Sequence, residues 1–387
     1  MKTTEKSISL LSHLVCSSCC KTYDTAMLQS YAACCNAPLS AVYHPGCLTP
    51  QLLAKRPRTM WRYAEMLPVL RTHEIVSLGE GFTPIHTLSR SPMAKVVCQL
   101  LLKDESVNPT GSFKARGISA AISKAKELGV HSCVTPTAGN AGSALSAYCA
   151  AAGMKASIVM PSFTAQTIKD ECRLYGAEVI EVNGLINECG TIAQKIAEQT
   201  GAFNMSTMKE PYRLEGKKTL GYEIAEQLNW HLPDVIIYPT GGGTGLLGMW
   251  KAFHELISLN LIQQHKLPRM VIVQTENCDP MIRLVHHEAL DQTFKPLFSK
   301  ASGLAVPYPF AANWMLQVLQ ESNGTALTVT EEEMDKGIAE VAASEGLLLS
   351  PEGSATYMGL KKLIEKDWIK EDESVLLINT GSWYKYH

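Results

Sequence analysis

A surplus of charge of either sign is what this sequence most lacks. Lys and Arg number 35 against 37 Asp and Glu, a formal balance of −2. That excludes the dense basic face with which proteins hold nucleic acid or an anionic membrane. No apolar run approaches the length that crosses a bilayer. The stretch from Met1 to Leu14 carries Lys2, Glu5 and Lys6 and no apolar core with a cleavage site, so no secretory signal is read and a cytoplasmic protein is expected. Repeats and low-complexity linkers are missing too, so the domains are expected to interleave rather than follow one another.

Core material, by contrast, is ample. Hydrophobic residues make up 46% and charged residues 19% of 387 positions, more chain than one ordinary core holds, so two domains are expected. The 12 cysteines, several inside apolar runs, fit free thiols in a reducing compartment better than a disulfide framework. Half of them crowd into residues 1–60 as Cys16, Cys19, Cys20, Cys34, Cys35 and Cys47, among Pro38, Pro45 and Pro50. Cys16-x2-Cys19 followed by Cys34-Cys35 resembles half of a zinc ribbon. The other half would want a cysteine at position 32, which is Ala32. Adjacent cysteines do not ordinarily both reach one ion in ribbon geometry, so no metal is assigned.

From Met60 onward, apolar runs alternate with amphipathic ones. Strands are read at Val96–Leu102, Ser132–Thr135, Ala156–Met160, Ala177–Val182, Val235–Tyr238, Met270–Gln274 and Val375–Ile378. Helices are read between them, at Ile118–Leu128, Ala141–Ala152, Thr167–Tyr175, Leu185–Glu198 and Leu246–Leu256. Such alternation predicts an α/β fold of right-handed βαβ units with mostly parallel sheets.

Four turns that follow strands carry chemistry. Asn108-Pro109-Thr110-Gly111-Ser112-Phe113-Lys114 pairs turn formers with Ser112, whose hydroxyl is expected to cap the next helix. Lys114 then falls in the first helical turn, where exposed N–H groups favour a neutral amine able to condense with a carbonyl. Thr240-Gly241-Gly242-Gly243-Thr244-Gly245 lets several backbone N–H groups point at one anion ahead of a helix. It lacks the Lys-Ser/Thr pair of a Walker loop and the placement of a dinucleotide fingerprint. A phosphate cradle and a tight packing turn both remain open for it. Pro136-Thr137-Ala138-Gly139-Asn140 offers Thr137 and the Gly139 backbone to a carboxylate, or else an ordinary N-cap at Asn140. Thr380-Gly381-Ser382 sets a hydroxyl at a strand end, where α/β proteins bind ligands.

These stretches, together with Leu78-Gly79-Glu80-Gly81-Phe82-Thr83-Pro84 and Pro211-Tyr212-Arg213-Leu214-Glu215-Gly216-Lys217-Lys218-Thr219, occur in the order found in fold-type II pyridoxal-phosphate enzymes. Over nearly its whole length the chain resembles the threonine synthases of that superfamily. The resemblance implies two interleaved αβα domains behind a Cys-rich segment at 1–60, with 61–118 and 213–387 forming the larger, cofactor-binding domain and 119–212 the smaller. It implies Lys114 as the Schiff-base lysine, Asn140 at the cofactor's phenolic oxygen, Gly241, Gly242, Gly243 and Thr244 on its phosphate, and Thr380 at its ring nitrogen. Thr137, Arg116, Arg213 and Lys217 become candidates for binding a small amino-acid substrate, the three cations as partners of a leaving phosphate or else as exposed helix charges. Ala115, where these synthases usually have Asp, and Ser382, where they usually have His, keep a serine/threonine dehydratase-type β-elimination or a related β-replacement enzyme as the alternative. A decayed scaffold serving as a binding protein is the non-enzyme alternative, and the intact Lys114 argues against it. A homodimer is left open.

Overall fold

The computed structural model describes residues 7–263, 267–290 and 294–386. The chain forms two compact units, each of three segments: residues 1–82, 114–223 and 248–262 make the first, and 83–113, 224–247 and 263–387 the second. The Cys-rich start clusters with the first unit.

The first unit holds two sheets. A three-stranded antiparallel sheet runs in the order Thr22–Tyr23, Leu11–Cys16, Leu39–Tyr43. A four-stranded parallel sheet runs Glu178–Val182, Lys155–Pro161, Ser132–Pro136, Phe203–Asn204. Its central strands Lys155–Pro161 and Ser132–Pro136 are mostly buried, with cores on both faces. Ile158 and Met160 point into a core shared with Ile118, Ile122, Leu145 and Tyr148. Their neighbour Val159 turns to the opposite face, where Val134, Cys189 and Ala193 close a second core. The helices Asn140–Ala152 and Ile186–Thr200 end on Gly153 and Gly201, at φ +68° and +71°, a left-handed stop that costs glycine little.

The second unit is built on a six-stranded sheet in the order Thr325–Val329, Arg269–Thr275, Val235–Pro239, Ser374–Asn379, Gln99–Asp104, Ile85–Thr87. Only the Ile85–Thr87 edge runs antiparallel. Alternate residues Leu100, Leu102, Val235, Ile237, Val271, Val273, Val375 and Leu377 face one core with Tyr357 and Leu360 of the helix Pro351–Glu365. That helix starts on Ser350, whose side chain accepts from Gly353 N–H, with Pro351 in its first turn. The α/β class and mostly parallel sheets expected from the alternation are what the chain adopts.

Candidate active site

In the second unit the site begins with three adjacent parallel strands. Ile237 pairs with Leu377, and Asn379 pairs with Asp104, so the three strands deliver their C-terminal ends to one edge of the sheet. From that edge emerge the glycine turn, the Thr380 turn and the segment leading to Lys114.

The glycine turn is packed hard on its underside. A Cβ at Gly241 would lie 2.2 Å from the Gly303 carbonyl oxygen, and one at Gly243 (φ +77°) 2.1 Å from Met315 Sδ. Gly245 leaves the same room for the Tyr238 ring. Close packing therefore accounts for these three glycines. Gly242 is the half-buried member, and the helix Thr244–Ser258 opens directly after the turn.

Thr380 is buried, and its position is set by its neighbours. Asn379 Nδ2 donates to Asp104 Oδ1 at 2.9 Å, and Asn379 Oδ1 accepts from the Ser350 N–H and hydroxyl. The Thr380 carbonyl accepts from Phe113 N–H at 3.0 Å, and Ser382 N–H donates to Gly111 O at 2.8 Å. Ser112 is bridged to Gly381. This lacing corrects the expectation that Ser112 caps a helix. It is extended (φ −161°, ψ 158°), held flat against Gly381, and its buried hydroxyl makes no hydrogen bond. The hydroxyl of Thr110, in a left-handed conformation at φ +58°, is likewise buried without a hydrogen bond.

Lys114 is the next residue in the chain and the first of the helix Lys114–Glu127, half-buried in the first unit. One turn along, Gly117 faces the helix Tyr212–Gln227. A Cβ there would lie 2.7 Å from Arg213 O and 3.0 Å from Lys217 Cε. Gly216 answers from the other side, its absent Cβ 2.0 Å from Arg116 O. The two helices thus touch backbone to backbone, and the Lys217 stem lies against the first turn of the Lys114 helix.

Arg116, Arg213 and Lys217 are all buried, 2% exposed or less, so the plain alternative of exposed helix charges does not hold. Arg116 is committed to Glu223 by two bonds of 2.5 and 2.6 Å, with Thr219 Oγ1 at 3.1 Å. Arg213 donates to Met205 O at 2.6 Å. Burial lowers its proton affinity, and the neighbouring Glu210 works against that. Glu210 accepts from the Tyr212 and Arg213 N–H groups, yet burial pushes its carboxyl up to about 7. Burial also opposes ionisation of Glu215, but Lys218 at 2.7 Å and Lys251 hold it below the usual carboxylate range.

Thr137 is buried and its hydroxyl is turned onto its own loop, bonding the N–H and carbonyl of Gly139 at 3.1 and 3.2 Å. Asn140 is the first residue of its helix rather than its cap, since Gly139 holds that position. Glu80 went unread in the sequence. Fully buried, it accepts from Trp61 Nε1, Ser119 Oγ, Tyr148 Oη and Leu78 N–H at 2.5–2.9 Å. The flanking glycines Gly79 and Gly81, at φ +91° and +97°, were the available signal.

The family described as "Pyridoxal-phosphate dependent enzyme" matches residues 76–381. This chain belongs to that family. It is a pyridoxal-phosphate-dependent lyase. Threonine synthase of Methanocaldococcus jannaschii is 32% identical over 96% of this chain and 92% of its own length. That of Methanosarcina acetivorans is 31% identical over the same shares. Among solved structures, the processed form of threonine deaminase isoform 2 from Solanum lycopersicum is 23% identical, with a TM-score of 0.63 over 77% of this chain and 83% of that one. The last likeness is one of fold alone. The residues present fit the family's cofactor: a half-buried glycine ahead of a helix start suits a phosphate, and the buried, unbonded hydroxyls of Ser112 and Thr110 are donors left for a ligand. No helix among the described residues is long and apolar enough to cross a membrane.

Proposed function

We propose that the chain is a threonine synthase, converting O-phosphohomoserine and water into threonine and inorganic phosphate. The observation that carries this reading is the placement of Lys217. Its stem is buried against Gly117, one helical turn from Lys114, and it shares a helix face with Arg213 four residues earlier. A phosphate dianion must be stripped of water to react, which is costly unless buried cations and donors replace that water. A dehydratase expelling hydroxide has no such need. The full-length similarity to two threonine synthases supports the same choice.

In this reading Lys114, Asn140, Gly241, Gly242, Gly243, Thr244 and Thr380 hold the cofactor. When bound, the cofactor supplies an electron sink for negative charge at the substrate Cα. The Lys114 amine takes the proton from that carbon. Thr380 offers a hydroxyl in place of a carboxylate, so it does not keep a facing ring nitrogen protonated, which favours expulsion of a leaving group over transamination. Lys217 and Arg213 receive the phosphate. Arg116, spent on Glu223, orients the helix instead. The bond from Cγ to the phosphate oxygen breaks, one hydrogen passes from Cβ to Cγ to complete the methyl group, and water gives its hydroxyl to Cβ and, in net terms, its remaining proton to the phosphate.

Holoenzyme given O-phosphohomoserine should release phosphate and form threonine in equal amounts. Lys217→Ala should cut phosphate release by roughly 100-fold and affect any deamination of threonine far less. Formation of 2-oxobutanoate from threonine, with no phosphate from O-phosphohomoserine, would make the chain a dehydratase.

A further inference from the structure

We propose that Cys16, Cys19, Cys34 and Cys35 form a structural zinc site. Their four sulfurs lie within 4.8 Å of one another, and Cys19 Sγ is 3.5 Å from Cys34 Sγ. Tetrahedral Zn–S bonds of about 2.3 Å require sulfur separations of about 3.8 Å, so the thiols need only close onto a central ion.

The backbone supplies two matching turns. In the first, Cys16 N–H donates to Lys21 O, Cys20 N–H donates to Cys16 O, and Cys20 is left-handed at φ +61°. In the second, Ala32 and Ala37 exchange N–H···O bonds, Cys35 N–H donates to Ala32 O, and Asn36 is left-handed at φ +48°. The spacing is the same, with Cys16 and Lys21 corresponding to Ala32 and Ala37. Cys19 therefore corresponds to Cys35, and Ala32 stands where the first turn has Cys16. Cys34 makes good that loss. Adjacent cysteines were expected not to share an ion, but the left-handed Asn36 sharpens the turn and brings both sulfurs into the cluster.

Two further contacts suit thiolate ligands. Ser18 N–H donates to Cys16 Sγ at 3.4 Å, and Tyr23 Oη donates to Cys34 Sγ at 3.2 Å. Bonds of this kind orient and hold metal-bound sulfur. The strand Leu39–Tyr43, which leaves the second turn, is fastened to the rest of its unit. Tyr43 Oη donates to Glu215 at 2.9 Å, and Lys251 Nζ donates to Ala41 O. A bound ion would therefore fix one end of a sheet whose other end grips the helix bearing Arg213 and Lys217.

The test is the metal content of the holoenzyme purified under reductant without chelator. One zinc per chain is expected, released by a mercurial in step with titration of the clustered thiols. Cobalt in its place should show the intense visible bands of a tetrahedral thiolate site. Cys19→Ser and Cys35→Ser should each lose the metal, whereas Cys20→Ser and Cys47→Ser, outside the cluster, should keep it. Tyr23→Phe should weaken zinc binding roughly 10- to 100-fold. Absence of metal from the wild-type protein, or a mass short by two hydrogens that marks a disulfide among these cysteines, would overturn the site. So would equal zinc loss in Cys20→Ser. The metal content of the wild-type protein is decisive by itself, whether or not a variant folds.

Discussion

The Arg116–Glu223 pair is the sharpest place to separate architecture from catalysis. Both side chains are fully buried, and two bonds of 2.5 and 2.6 Å join them. Gly81 gives Glu223 its room, since a Cβ there would lie 2.9 Å from Glu223 Oε1. Glu223→Gln keeps the shape and removes the negative charge that the buried Arg116 guanidinium faces across these two bonds. Breaking a buried pair from one side costs about 3–5 kcal/mol, whereas replacing both partners by apolar groups of similar volume is often close to neutral. Glu223→Gln should therefore lower the thermal midpoint on the order of 10 °C, and Arg116→Met with Glu223→Met should recover most of it. Thermal unfolding of cofactor-free protein measures the stability, and phosphate release from O-phosphohomoserine tests the proposed function. Unchanged stability in Glu223→Gln, together with a substrate KM raised many-fold, would refute the structural role and return Arg116 to the substrate.

Burial raises Glu210 from 4.5 to about 7, so the folded state keeps a proton that the unfolded chain gives up. Stability should then fall as pH rises through that interval, by up to about 3 kcal/mol, and a urea midpoint that is level there, or that falls equally in Glu210→Gln, contradicts it. Gly241→Ala should destabilise the second unit by about 1–3 kcal/mol through its clash with Gly303 O. Gly242→Asp should instead leave the fold intact and abolish cofactor uptake, read by absorbance; normal uptake would leave the loop a packing turn only. Ser112→Ala removes a buried hydroxyl that makes no hydrogen bond, so cofactor-free stability should hold or rise while cofactor affinity falls. A loss of stability without a loss of affinity would show the hydroxyl serves the fold.

Much of the fold was legible because strands covered on both faces are unbroken apolar blocks. Val235-Ile236-Ile237-Tyr238 is one, and the strand extends it by a single residue to Pro239. The strand Thr325–Val329 escaped notice because its burial alternates and its core residues are few. The signal was just beyond it, in the capping box that Thr330 and Glu333 form ahead of a helix. The burial of Arg116, Arg213 and Lys217 was harder to read, since charges on a helix ordinarily face water. Only the pairing of Gly117 with Gly216 hinted at helices close enough to bury them. The convergence of Cys34 with Cys35 was hidden too, because it depends on a left-handed asparagine rather than on spacing.

The fold does not choose the reaction. A threonine deaminase shares it at 23% identity, so the fold alone does not fix which group is expelled. What distinguishes expulsion of phosphate from expulsion of hydroxide is the charge a site must neutralise. Burying Arg213 is expensive, and Glu210, itself pushed toward neutrality, only partly offsets it. A site that expels hydroxide gains nothing from that expense. On the proposed reading a site that holds a phosphate dianion recovers that cost each time substrate binds, and Lys217 and Arg213 are the residues at which the reading is tested.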